Sequence, residues 1–314
     1  MLGISWYQSA RFFRGNRITV GLDWFRYGGE AWSEYVSGEK AGTRDDIVDK
    51  HEDELAGYVD VRQDVGSWLT LNAGLRIDHH SRVGTEWVPQ AGLAFHLPRM
   101  MELKASASKG FRYPILREMY MFPPQNPDLQ PESMWNYELA FSQRLMNGRL
   151  QYGVNLFYID GKNLIQTLPN PNGSGRLNQN SGEIENMGVE AQLAYRINTA
   201  WSVDANYSYL HMENPVVAAP EHKLYAGANF SKGHWNVSTG LQYIAGLYTQ
   251  VATNPSGTNI QEDFVLWNLR ASFRATKWLD IWARGENLLA QRYEIMAGYP
   301  MPKATVMGGV NINF

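Results

Sequence analysis

The sequence has 314 residues, of which 44% are hydrophobic and 19% charged, with a formal net charge of −3 and no cysteine. That balance removes disulfides, cysteine zinc sites and thiol catalysis, and it offers no basic excess for nucleic acid. No run of about 18 apolar residues is present, so no transmembrane helix is expected.

The opening MLGISWYQSARFFRGNR reads as strand and turn, without the charged, apolar and cleavable parts of a signal peptide. Period-2 alternation then runs along the whole chain. Leu69, Leu71, Ala73, Leu75 and Ile77 fall on one face, and Thr70, Asn72, Arg76 and Asp78 on the other. The pattern returns at 149–159, 187–197, 201–210, 235–244 and 263–274, and in the last stretch, which ends in Phe314. The expected strands are 4–12, 16–27, 53–64, 67–80, 86–97, 101–110, 132–145, 148–167, 176–197, 200–212, 220–231, 234–246, 262–275, 278–288 and 303–314. No amphipathic helix interrupts them.

A sandwich or a propeller also supplies many short strands. The connections favour another arrangement. Tight ones lie near Arg14-Gly15, Val65-Gly66, Pro98-Arg99, Asn147-Gly148, Asn198-Thr199, Lys232-Gly233 and Ala275-Thr276. They alternate with mostly longer ones at 28–52, 81–85, 111–131, 168–175, 213–219, 247–261 and 289–302. A transmembrane barrel keeps its short turns at one end and its long loops at the other. The 11 Trp and 17 Tyr suit its aromatic girdles, although a soluble domain with aromatic sugar-binding patches would also be rich in them. Alternation by itself does not separate a lipid face from a core face. The polar face, however, carries Asp60, Arg62, Glu138, Asn155, Glu190, Asp204, Asn206, Arg270, Arg284 and Glu286, which a wide or plugged lumen accommodates. The fold class read from these features is all-β, an antiparallel transmembrane β-barrel.

Three segments carry a family resemblance. GFRYPILREMYMFPPQNPDLQPESMWNYELAF (110–141) resembles the mid-barrel signature of TonB-dependent receptors, with Asn126, Pro127, Leu129, Pro131 and Glu132 in place. NSGEIENMGVEAQLAY (180–195) is similar to that family's Asn-x-Gly…Gly-x-Glu strand. GENLLAQRYEIMAGYPMPKATVMGGVNINF (285–314) resembles its terminal region, through Asn287-Leu288, Tyr293, Gly298-Tyr299-Pro300 and Phe314. Residues 1–104 fit by strand pattern alone.

The resemblance implies a barrel of roughly 22 strands, a plug domain that contacts the TonB complex, and a signal peptide. The chain would then be a partial one, about 15 strands of the C-terminal barrel across 1–314. It implies energised uptake of a metal chelate such as an iron-siderophore, haem or vitamin B12 in the outer membrane of a Gram-negative bacterium. The alternative is a passive porin or an adhesin barrel. Implied partners are outer-membrane lipid, the chelate, and the barrel assembly machinery acting on the last strand with Phe314 as its signal. The TonB complex would be reached only through the plug.

No catalytic motif, cofactor or metal site is expected. The acidic run at Asp45-Asp46, with Glu52 to Glu54 nearby, lacks the spacing of known calcium loops. His79-His80 is the one histidine pair, expected as exposed residues near an extracellular strand end and pointing to opposite faces. The candidate ligand contacts are Arg112, Tyr113, Tyr120 and Phe122 on loop 111–131, with Tyr248, Tyr299 and Met301 on other long loops. Aromatic and Met side chains there suit a bulky, flat ligand or simply loop packing, and Arg112 suits either an anionic chelate or a carboxylate of the wall.

Overall fold

The computed structural model describes residues 1–252 and 257–313, so the expected terminal signal, Phe314, lies outside the described residues. Fifteen strands form one sheet in sequence order: β1 (Leu2–Ala10), β2 (Asn16–Glu34), β3 (Arg44–Val65), β4 (Leu69–His80), β5 (Gly84–Leu97), β6 (Met101–Arg112), β7 (Glu132–Leu145), β8 (Leu150–Pro169), β9 (Arg176–Arg196), β10 (Trp201–Met212), β11 (Pro220–Lys232), β12 (Trp235–Gln250), β13 (Ile260–Arg274), β14 (Leu279–Glu286) and β15 (Thr305–Ile312). The paired strands run antiparallel, as β2 with β3 and β11 with β12 show. The only helical turns among the described residues are short, at Pro98–Met100 and Arg117–Met121.

Two compact units can be distinguished. One comprises Met1–His96, Lys104–Glu138 and Ile159–Glu185, and the described remainder makes up the other.

In the first unit the expected loop 28–52 is mostly strand. β2 and β3 are 19 and 22 residues long and stay in register from Asn16↔Gln63 to Glu34↔Arg44, with one irregularity at Ala31/Trp32, leaving only 35–43 as loop. At roughly 3.3 Å per residue, even a strand tilted by about 45° outreaches a ~30 Å hydrocarbon layer at this length. Beyond that layer both faces meet water. The alternation disappears there while the backbone ladder continues.

Register fixes which residues share a face. Val59↔Leu75, Val61↔Ala73 and Leu71↔Leu93 stand together in the first unit. Leu241↔Trp267, Val237↔Ala271 and Ile281↔Val310 do so in the second. This face is apolar and uncovered, with Leu55, Trp87, Leu241 and Val310 among its exposed members. Apolar exposure on this scale marks a surface that meets something other than water. Internal apolar packing is correspondingly sparse and sits in loop 113–131 and at the adjoining ends of β12 and β13. One buried cluster is Met119, Tyr120 and Leu129, and the other is Ile244, Leu247 and Phe264.

Two glycines are required by geometry. Gly15 sits in the first tight turn at φ +77°, and a Cβ there would lie 2.4 Å from the Asp64 carbonyl oxygen. Gly188 on β9 leaves room for the Phe157 ring, and its Cβ would stand 2.3 Å from the Tyr209 carbonyl on neighbouring β10. Gly188→Val should therefore destabilise the second unit by about 1–3 kcal/mol, the usual cost of overpacking. The loss should appear as a lower urea midpoint of the membrane-inserted protein. An unchanged midpoint would show that β9 and β10 can part at no cost.

Candidate functional site

The β6–β7 connection in the first unit is the largest structured loop. Its entry is fixed by charge. Arg112, the last residue of β6, donates from Nε to Glu132 Oε2 at 2.6 Å, and from its two terminal nitrogens to both Glu118 oxygens at 2.9 and 3.0 Å. Glu118 also accepts from the Ile115 amide, and Glu132 from the Ile165 amide of β8. A guanidinium bound at both ends in this way is a strong orienting contact. It raises the Arg112 pKa through Glu132 and then Glu118, and Arg112 in turn holds the Glu132 carboxyl below the ordinary glutamate range.

Tyr113 turns inward and is buried. Its hydroxyl donates to the Asp78 carbonyl at 3.0 Å, and burial pushes its pKa up. Its ring lies 4.7 Å from that of His80. The histidine pair is thus split. His79 is exposed beside Thr85, whereas His80, expected at the surface, is fully buried. His80 Nδ1 accepts from the amides of Arg82 and Val83, so Nε2 carries the proton and points at the Tyr27 hydroxyl, 2.7 Å away, with Glu52 Oε2 at 3.5 Å. The acidic run is dispersed. Asp45 accepts from Tyr35, Asp46 pairs with Arg44, and Glu52 and Glu54 lie within β3.

The rest of the loop is fastened to β9. Asn126 donates to the Asn178 carbonyl at 2.7 Å, Asn178 donates to the Glu118 carbonyl at 2.8 Å, and Asn180 exchanges two hydrogen bonds with the Gln130 backbone. Two segments singled out by sequence, 110–141 and 180–195, hold one another. Tyr120 is buried in the cluster, while Phe122 is exposed.

In the second unit the β14–β15 connection is fastened by Asn287, which is buried at φ +48°. Its side chain donates to the carbonyls of Gln291 and Pro302 and accepts from the Gln291 amide, and its own amide donates to Asn268. The Tyr293 ring packs tilted against Phe264, with centroids 4.3 Å apart. Tyr248, expected on a long loop, lies within β12, whose ladder runs on to Gln250, and donates to Glu221 at 3.1 Å; Met301 is half-buried, and Tyr299 projects freely. Between this loop and β11–β15 lies a cavity of about 490 Å³, lined by Tyr225, Arg270, Arg284, Glu286, Tyr293 and Met301 among others. The candidate residues therefore form two separate groups. Arg112, Tyr113, Tyr120 and Phe122 lie in the first unit, and Tyr248, Tyr299 and Met301 in the second.

The family described as TonB dependent receptor-like, beta-barrel matches residues 3–288. The chain belongs to this family. Among curated relatives it is 28% identical over 239 residues to the iron-regulated outer membrane virulence protein of Vibrio cholerae, covering 67% of this chain and 36% of that protein. It is 28% identical over 293 residues to the vitamin B12 transporter BtuB of Vibrio cholerae, covering 91% of this chain and 46% of the transporter. The chain spans less than half the length of these relatives. The fold is that of the ferric enterobactin receptor PfeA of Pseudomonas aeruginosa, with a TM-score of 0.80 at 17% identity over 99% of this chain and 53% of PfeA. The copper transporter OprC is also similar, with a TM-score of 0.73 at 15% identity over 98% of this chain and 55% of OprC.

In this TonB-dependent receptor barrel the Arg112 clasp makes loop 113–131 a folded body. Because the Glu132 pKa is depressed, the contribution of the clasp is complete above the ordinary glutamate range and is lost as pH falls through the lower folded value. Arg112→Gln should speed trypsin cleavage after exposed Arg117 several-fold at pH 7. Acidification from pH 6 to pH 3.5 should raise amide exchange in 113–131, corrected for intrinsic rates, and Glu132→Gln should flatten that rise. A pH-independent loop in the unsubstituted protein would refute the clasp.

Proposed function

We propose that this chain is the C-terminal portion of a TonB-dependent receptor barrel that resides in the outer membrane of a Gram-negative bacterium. In this reading the intact receptor takes up a metal chelate such as an iron-siderophore, haem or vitamin B12. The barrel gives passage, the long loops capture the chelate, and the TonB complex supplies energy through a plug domain. Phe314 is the signal for the barrel assembly machinery. The observation that carries the substrate class is the company the sequence keeps: an iron-regulated outer-membrane protein and vitamin B12 transporters, matched across 67% and 91% of the chain.

Of the candidate ligand contacts, Phe122 and Tyr299 have the most exposed rings, at 61% and 71%, with the Arg117 guanidinium 5.4 Å from the Phe122 ring centroid. Arg112 is committed to two carboxylates, and Tyr113 and Tyr120 are committed to packing. Phe122 and Tyr299 are therefore the first contacts for a bulky chelate. Tyr248 and Met301 flank the second loop group.

Deletion of the gene, followed by uptake of ⁵⁵Fe-siderophores, ⁵⁵Fe-haem and ⁵⁷Co-cobalamin, tests the assignment. Uptake of one chelate should disappear, and in the wild type it should stop when the proton-motive force is collapsed. Phe122→Ala and Tyr299→Ala should weaken binding of that chelate by about tenfold if they are central contacts, with unchanged protein level. Undiminished uptake of every chelate, together with altered leakage of small neutral solutes, would favour the porin reading instead.

A further inference from the structure

The five tight turns of the second unit share a composition that transport does not require. They span 97–100, 145–149, 196–200, 231–235 and 274–278. Each contains Arg or Lys, and none contains Asp or Glu. Each also presents a large apolar side chain to the outside, in the turn or directly beside it: Met100, Met146, Trp201, Trp235 and Trp278, all between 45% and 66% exposed. The opposite ends of the same strands mix acids with cations. Loop 213–219 carries Glu213, β11 opens with Glu221 before Lys223, β13 has Glu262 and Asp263 near its start, and the β14–β15 connection carries Glu294 with Arg292 and Lys303.

The tryptophans are held in place. Trp201 is the register partner of Phe230, with ring centroids 4.8 Å apart, and Trp235 that of Phe273, at 4.7 Å. Such cross-strand aromatic pairs fix side chains on one face. Lys232 lies opposite Trp235 in the ladder, so a cation and an indole share that face at the turn. Arg99, Lys232 and Lys277 are exposed and make no ion pair among the described residues, whereas Arg274 pairs with Asp280.

We propose that the tight-turn end of the second unit is a binding surface for anionic phospholipid headgroups, with the indole belt seated at the headgroup level and the turn cations on the phosphates. The inference rests on the reading that this unit spans the outer membrane. Charge complementarity selects the occupant. Exposed cations with no acid among them, set directly above amphipathic rings, match a negatively charged interface. A zwitterionic interface would use the rings alone. Near a negatively charged membrane surface each cation contributes roughly a fivefold preference.

The test uses the full chain reconstituted in vesicles of phosphatidylcholine mixed with phosphatidylglycerol, with the bromine-labelled acyl chains placed on one lipid or the other, and tryptophan quenching as readout. Brominated phosphatidylglycerol should quench preferentially, with a relative association constant of about three or more over phosphatidylcholine at low salt. The preference should fall towards one in the variant Arg99→Gln/Lys232→Gln/Lys277→Gln, and in the unsubstituted protein at 0.5 M NaCl. Heat-modifiable electrophoretic mobility confirms that the variant is folded. Equal quenching by both lipids in the unsubstituted protein, or an undiminished preference in the folded variant, overturns the proposal. No quenching by either lipid overturns it together with the membrane reading on which it rests.

Discussion

Backbone amides and carbonyls cannot be left unpaired in hydrocarbon, where each orphan costs several kcal/mol. Most other features of the structure follow from that constraint. Each strand is hydrogen-bonded to its sequence neighbours, with β1 and β15 at the two ends of the order, and the side chains on the outer face carry no burden of internal packing. The chain therefore places leucine, valine and tryptophan outward and keeps its few buried apolar clusters for loop 113–131 and the ends of β12 and β13. In a water-soluble protein of this length the same side chains would have to face inward. Here the ladder holds the strands, and the surroundings accept the apolar face.

Outside the hydrocarbon layer a different set of contacts takes over. Loop 113–131 is held by the Arg112 guanidinium and by asparagine amides. The β14–β15 connection is held by Asn287. The arginine bonds go to the Glu118 and Glu132 carboxylates and the asparagine bonds to main-chain groups, short and directional contacts that suit segments with water rather than lipid on one side. Loop 113–131 also encloses a small apolar cluster, and the β14–β15 connection lays Tyr293 against one formed by β12 and β13, so each is a folded body mounted on the strand ends.

Much of this was legible in the sequence wherever chemistry alternates. The strands β4, β9, β12 and β13 were visible because lipid on one side and polar groups on the other impose period 2. The extension of β2 and β3 to Glu34 and Arg44 was not, because water on both faces erases the period while leaving the hydrogen-bond ladder intact. Burial of His80 was also invisible. It depends on Tyr113, 33 positions away in sequence, folding across the strand end. The segments around Asn126, Asn180 and Asn287 stood out as family-like, and their work as fasteners emerged only in three dimensions. Their partners are main-chain atoms, which leave no trace in residue identity. Sequence also gave no means of deciding whether Arg112 faced a ligand or a carboxylate, since a guanidinium serves either equally well.

The bonds between loop 113–131 and β9 join residues about 50 positions apart. A segment anchored so far downstream has a long chain to close before its fasteners are in reach. The Arg112 clasp can close once β7 is in place, whereas the bonds to Asn178 and Asn180 wait for β9. The full set of fasteners on this loop can therefore be completed only late in the folding of the first unit. Any agent able to engage the unset loop would have a window that closes with the ninth strand.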